Sequence, residues 1–340
     1  MDYLDLLYDD LLSQGIAHPD WMLGAMAGAL TAFFVQLYYW LGRYGGLPRF
    51  RNNRGIRPQI PSPPVSVVVV IRENGYYFIE NYLPLLLGQR YDEFEVVAVD
   101  CSYDEEIGEL LHEKSLACSR LHVTAIKQQR STGHGTKLAL TVGIKACAYE
   151  HIVFTTTDCY PSSDKWLSLM AKGFINGDIV IGYCGIEPGK GLANRLMRCS
   201  RLAGSVRWLS ARGRAYRGIA GNIGYTKSLY FESRGFNYLN MEIGDDDLFI
   251  QKIATSDNVS VVMNPAATMR QVPFGGLGWW RAVRRFYAYS FRYYPARVKR
   301  SVRTELSSRL LFFALSATAA LLLPPPLIAV PLSLVLIRLV

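Results

Sequence analysis

Val65-Ser-Val-Val-Val-Val-Ile71 is a seven-residue run in which six residues are Val or Ile. A short, continuous β-branched run without polar alternation marks a strand buried on both faces. Working outward, Phe94-Glu-Val-Val-Ala-Val99 reads as a second buried strand, ending in Asp100. Leu121 to Ile126 reads as a third, and His151-Ile-Val-Phe-Thr155 as a fourth, ending near Asp158. Ile79 to Leu87, Glu105 to Ser119 and Lys137 to Glu150 have helical spacing. Strand and helix therefore alternate from 65 to 170, which predicts an α/β domain on a mostly parallel sheet with right-handed crossovers. Ligands of such sheets sit beyond the carboxyl ends of the strands. The polar residues expected there are Arg72, Glu73, Asn74, Asp100, Asp104 and Asp158.

Two segments flanking this domain carry no charge: Trp21 to Gly42, and Leu310 to Ile337, the second broken by Pro324, Pro325 and Pro326. The first is long enough to cross a hydrocarbon core of about 30 Å. Aromatic residues crowd both of its ends, as interfacial belts do. A secretory signal needs a basic n-region. The first twenty residues instead hold five Asp and no Lys or Arg.

The net charge of +9 is concentrated. Arg43, Arg49, Arg51, Arg54 and Arg57 follow the first apolar segment, and Arg281 to Arg309 holds nine cations against one acid. Together these stretches amount to +13, leaving −4 on the rest of the chain. Cations flanking apolar spans point to membrane lipids as partners, not to nucleic acid. The positive-inside rule puts the N-terminus outside the cell membrane and the α/β domain in the cytoplasm. Six scattered Cys without C-x-x-C spacing agree with reduced cytosolic thiols. The expected order is an extracytoplasmic 1–20, a transmembrane helix 21–42, a basic linker 43–64 and the domain 65–290. A basic juxtamembrane segment 291–309 and a C-terminal membrane segment 310–340 follow.

Within the domain, Asp100-Cys-Ser-Tyr-Asp104 joins a strand to a helix. A carboxylate there can bind a ribose or base, or cap the next helix. Asp158, in Thr155-Thr-Thr-Asp-Cys-Tyr-Pro161, can ligate a hard divalent cation that bridges phosphates. Gly244-Asp-Asp-Asp-Leu248 packs three mutually repelling carboxylates at a predicted helix start. A dipole-stabilised helix end is one reading, and a general base whose pKa is raised by its neighbours is the other. Trp279-Trp-Arg-Ala-Val-Arg-Arg-Phe286 mixes aromatics with guanidinium groups, which suit either a diphosphate or a membrane surface.

Read in order, these segments, with Gly135-Thr-Lys-Leu-Ala-Leu140 and Gly218-Ile-Ala-Gly-Asn222, resemble the family 2 glycosyltransferases of the GT-A (Rossmann-like) fold. The match covers about residues 60 to 290, and the apolar flanks resemble those of membrane-anchored bacterial members. The resemblance implies an inverting transfer from a nucleotide-sugar donor to a glycan or lipid-linked acceptor. It makes Asp245 the catalytic base, with Asp246 the second choice. Asp158 becomes the ligand of Mg²⁺ or Mn²⁺, and Asp100, Asp104, Arg72, Glu73, Lys137 and Arg285 the donor side. Gly221, Asn222, Trp279 and Trp280 fall on the acceptor side.

The sequence also departs from the family's pattern. Thr156 replaces the first Asp of Asp-x-Asp, so a weaker metal site is expected. Ala282 and Phe286 erode the Gln-x-x-Arg-Trp motif of processive synthases, which favours transfer of one sugar per acceptor. Glu73 and Asn74 stand in reverse of the usual order. A nucleotidyltransferase on a similar sheet would need a Gly-rich basic signature after the first strand, which Arg72-Glu-Asn-Gly75 does not supply. A scaffold that kept the fold and lost catalysis would have Thr156 in its favour and the retained Asp100, Asp158 and Asp245 against it.

Overall fold

The computed structural model describes residue 13 and residues 19–43, 63–102, 104–126, 135–209, 215–237, 244–323 and 327–339. Most of the acidic N-terminus and of the 43–64 linker thus lies outside the described residues. The chain forms two compact units, one from residues 46–294 and one from residues 1–45 and 295–340.

The larger unit is built on a seven-stranded sheet. Its strands are β1 (Val65–Ile71), β2 (Phe94–Asp100), β3 (Leu121–Ala125), β4 (His151–Thr156), β6 (Ile179–Gly182), β8 (Ile223–Thr226) and β9 (Val259–Val262), in the order β3-β2-β1-β4-β8-β6-β9. All neighbours are parallel except β8, which runs antiparallel to both β4 and β6. Every residue of β2 is buried, and all of β1 except Val70, as expected of central strands with helices on both faces. A second, three-stranded sheet places β10 (Met269–Gln271) between β5 (Cys159–Pro161) and β7 (Cys184–Ile186). It ties the segment after β4 to residues more than a hundred positions later.

The helices fall near their expected places, with one correction. Ile79–Leu87 is not one helix but the end of Gly75–Asn81 followed by Leu83–Leu87, with Pro84 in the first turn of the second. Proline cannot donate to the preceding turn, so it starts a helix more readily than it continues one. The Leu248–Ile253 helix and the long Leu277–Ser290 helix complete the part that matters for the site.

The smaller unit contains two helices long and apolar enough to cross a membrane, Asp20–Gly42 and Ala296–Leu322, and a shorter apolar helix, Ala329–Arg338. The first includes a π-helical turn over Tyr38–Arg43. Helix Ala296–Leu322 runs unbroken from the basic stretch into the apolar one. It packs on the first helix through Phe33 and Phe312, whose ring centroids lie 6.1 Å apart. Gln36 donates from Nε2 to Ser308 (2.8 Å) and accepts from Arg338 Nε (3.1 Å), so its buried amide is satisfied on both sides.

Candidate active site

A cleft of about 620 Å³ opens at the carboxyl ends of β1 and β4. Its lining includes Arg72, Glu73 and Asn74 from the tip of β1, Thr155 to Asp158 from the end of β4, and Asp245 and Asp246. Gly221, Gln271, Arg201 and one face of the Leu277–Ser290 helix close it. Asn74 takes φ 57°, a left-handed conformation that Asn tolerates better than most residues. Gly221 is a necessary glycine, because a Cβ there would sit 2.5 Å from Cys159 Sγ.

Asp158 is half-buried and held by neutral donors. The Thr156 hydroxyl donates to Oδ1 at 2.6 Å, and Gln271 Nε2 donates to Oδ2 at 2.8 Å. Thr156, standing where the resemblance expects an acid, therefore supports the neighbouring carboxylate. The backbone N–H of Val272 donates to the Asp158 carbonyl, which anchors β10 beside it. Among the described residues no group of three or more His, Cys, Asp or Glu converges on a metal position. A single carboxylate nevertheless fits a divalent ion of this kind, because magnesium is commonly bound by one or two carboxylates together with substrate phosphates. Each Asp158 oxygen accepts one strong hydrogen bond; Oδ1 also faces the Cys159 thiol at 3.5 Å, and Oδ2 retains a lone pair.

The three consecutive acids have different surroundings. Gly244, at φ 107°, turns the chain into them. Asp247 is fully buried and caps the Leu248–Ile253 helix through Leu248 N–H at 2.6 Å. It also accepts from Ser290 Oγ (2.5 Å) and Tyr294 Oη (2.8 Å), which fastens the end of the Leu277–Ser290 helix. The cap expected as one reading of this motif is thus carried by one of its three acids.

Asp246 lines the cleft at 4% exposure. Its Oδ2 accepts from Tyr287 Oη, while Oδ1 is buried without a hydrogen-bond partner among the described residues. Burial, reinforced by Asp245 and Asp247 and opposed by Arg217, pushes its carboxyl up to about 8. Arg217 itself lies over the Tyr287 ring, 3.0 Å from the centroid, and over Trp208 at 4.2 Å.

Asp245 is the most accessible of the three. Burial and the Asp247 charge raise its pKa, and its own backbone and Lys137 oppose them. Lys137 is buried on the Gly135–Ala146 helix. Its pKa is lowered by burial and supported by Asp245 and Asp247. It is a counter-charge to the acid run and does not line the cleft.

The other expected site residues are dispersed. Asp104 lies in an adjoining depression with Arg72 and Ser102, and caps the Glu105–Ala117 helix through Glu106 N–H at 3.1 Å. Asp100, at the tip of β2, accepts from Ser102 N (2.9 Å) and Ser102 Oγ (2.7 Å). Asn222 is wholly buried among Trp166 Nε1, Tyr183 O and Ala267 O, and holds strands together. On the Leu277–Ser290 helix, Trp279, Ala282, Val283, Phe286 and Tyr287 line the cleft at i, i+3, i+4, i+7 and i+8. Arg285 is exposed on another face, and Trp280 stacks under Arg284, 4.9 Å from its guanidinium. Arg201, Gln271 and Tyr287 are functional candidates that no motif had signalled.

No family model and no curated protein matches the sequence. Among solved structures, the chain is similar to the mannosyltransferase PcManGT from Pyrobaculum calidifontis in complex with GDP-Man and Mn²⁺. Identity is 18%, coverage 94% of this chain and 92% of that one, and the TM-score 0.58. S. aureus TarS 1–349 matches at 21% identity over 62% of this chain and 60% of that one, with a TM-score of 0.47. In complex with UDP-GlcNAc, TarS is matched over 58% of its length, so the chain spans about three fifths of either TarS structure. At such identities the likeness is one of architecture, and it is carried by the Pyrobaculum enzyme over nearly the whole of both chains: this protein has the GT-A fold.

Proposed function

We propose that the chain is an inverting glycosyltransferase with the motif order of family 2, using a nucleoside-diphosphate-sugar as donor. The acceptor would be a membrane-associated or cell-envelope glycan or lipid. One observation carries the reading. Arg72, Asp158 and the pair Asp245–Asp246 come from three distant stretches and line one cleft at the strand tips of this fold. The GDP-Man and Mn²⁺ held by the Pyrobaculum enzyme support a nucleotide-sugar donor and a divalent cation, Mg²⁺ or Mn²⁺.

On this reading Asp245 accepts the proton of the acceptor hydroxyl. That oxygen bonds to the anomeric carbon from the side opposite the nucleotide. The bond from that carbon to the diphosphate oxygen breaks, and the nucleoside diphosphate leaves with the electron pair. Asp245 suits the role better than Asp246, because Asp246 keeps its own proton until about pH 8. Asp158 would hold the cation, which when bound supplies positive charge to the departing diphosphate. The aromatic and aliphatic wall from Trp279 to Tyr287 excludes water from the transfer. The purified chain, screened against nucleotide-sugars, should hydrolyse one of them slowly in Mg²⁺ or Mn²⁺. Turnover of none, with every variant equally inert, would favour a scaffold.

The helices Asp20–Gly42 and Ala296–Leu322 support membrane anchoring, and the acid-to-Arg switch across the first of them supports an N-terminus outside with residues 43–309 in the cytoplasm. A membrane-impermeant thiol reagent applied to intact cells should label Asp5→Cys and spare Asn52→Cys. The opposite pattern would invert the topology.

A further inference from the structure

We propose that Arg201 is the guanidinium that receives the donor's diphosphate, in the place the family motif would give to Arg285. The proposal rests on the nucleotide-sugar reading above and names the residue that meets the leaving group.

Arg201 projects from the Leu192–Leu209 helix and is 8% exposed, yet it lines the cleft. Its Nη2 donates to Gln271 Oε1 at 2.9 Å, and the same amide donates from Nε2 to Asp158 Oδ2 at 2.8 Å. The amide is held in one orientation, since guanidinium can only donate and carboxylate can only accept. Arg201 is thus placed one side chain away from the carboxylate assigned to the cation. Its Nη1 is buried and has no hydrogen-bond partner among the described residues. Among the described residues no carboxylate lies within ion-pair distance of it.

A buried cation with neither counter-charge nor complete hydrogen bonding is costly unless something else supplies both. A diphosphate does: it is anionic and presents several acceptor oxygens to a planar fork. Arg72 reaches the same cleft with Nε and Nη2 unpartnered, so two forks are available to one anion. Arg285 is exposed and off the cleft-lining face of its helix. A second guanidinium also fits the substitution at Thr156, because positive charge supplied by the protein lowers what the cation alone must neutralise.

The test uses the full 340-residue chain in detergent micelles. Titration calorimetry would measure UDP, GDP, ADP and CDP, and the corresponding nucleosides, with Mg²⁺ and with chelator. For the diphosphate the parent binds, Arg201→Met should weaken affinity about 10- to 100-fold, the range of a hydrogen bond to a charged group. It should leave the nucleoside within about twofold, and the deficit should persist in chelator. Arg285→Met should stay within about twofold for both. If Arg201→Met melts well below the parent, Arg201→Lys takes over; it keeps the charge, loses the fork, and should show an intermediate loss for the diphosphate alone. Parent-like diphosphate binding by a folded Arg201 variant, or a loss confined to Arg285→Met, overturns the proposal and leaves the nucleotide reading standing. If the parent binds no nucleoside diphosphate, both fall together.

Discussion

The two acidic centres in the cleft are held in opposite ways. Asp158 is half-buried, and its strong hydrogen bonds come from neutral groups, the Thr156 hydroxyl and the Gln271 amide. Neutral donors fix a carboxylate without cancelling its charge, so the charge remains available to a cation. The Asp245–Asp247 run is crowded, buried and ringed by hydroxyls from Tyr287, Ser290 and Tyr294. There the charge itself is expensive, and Asp246 keeps its proton up to about 8. On the proposed reading one centre would attract a metal and the other exchange protons, although both consist of the same functional group.

That contrast breaks first at Asp245. Asparagine there keeps the size and removes the base, so sugar transfer should fall by about 10²- to 10⁴-fold with donor affinity nearly unchanged. Initial rates and donor titration on folded protein would check this. Parent-level transfer by Asp245→Asn, with Asp246→Asn inactive, would move the base by one residue.

Next in size is Asp247, where the effect should appear in stability. Asp247→Ala removes the side-chain acceptor of Leu248 N–H and Tyr294 Oη–H in a buried site, and leaves Ser290 Oγ–H to the Tyr287 carbonyl. The loss should be on the order of 3 kcal/mol, read by chemical denaturation. A cost within experimental error would mean that water can enter and replace the carboxylate.

Asp158→Asn probes the other centre. Nucleoside-diphosphate affinity in Mg²⁺ or Mn²⁺ should drop about tenfold, roughly the value of one charge-assisted contact, and should barely change in chelator. Thr156→Asp should not abolish binding. Identical affinities with and without metal in the parent would remove the cation from the scheme.

A further test of the contrast is one of pH. The folded pKa of Asp246 lies near 8, and an unfolded Asp titrates near 3.9. A raised folded pKa means the native preference for the protonated form is complete below about pH 4 and is lost by about pH 8. The melting temperature of the parent should therefore decline more between pH 5 and 8.5 than that of Asp246→Asn. Parallel declines would show that Asp246 is not the titrating group.

The sheet was legible because β1, β2 and β4 are β-branched or aromatic runs with no polar alternation, a pattern that only two-sided burial explains. Asp158 and the acid run were legible as charges placed where strands or helices end. The small sheet was not, because three-residue strands have no periodicity; β10 gains its meaning only by pairing with β5 and β7 across the fold. Gln271 escaped notice for the same reason, and Arg201 because a lone cation on the Leu192–Leu209 helix belongs to no motif. Arg285 and Trp280 lie off the cleft lining for a different reason. They sit in an aromatic-basic stretch that looks uniform when read linearly, and helical spacing assigns Trp279, Val283, Phe286 and Tyr287, but not those two, to the cleft.

One carboxylate, Asp247, fastens Ser290 to the acid run, while the opposite end of that helix begins after Gly275 and Gly276, at φ 89° and 59°. If those two glycines yielded, the cleft wall would move as a lever about a fixed post at its carboxyl end. From Ser290 to Trp279 the arm measures roughly 16 Å at the helical rise. A tilt of about 10° would then carry the Trp279 end through roughly 3 Å while Tyr287, beside the post, hardly shifts. Whatever enters or leaves past this wall would meet its largest clearance at the tryptophan rim, and the acid run beside the post would stay in register throughout.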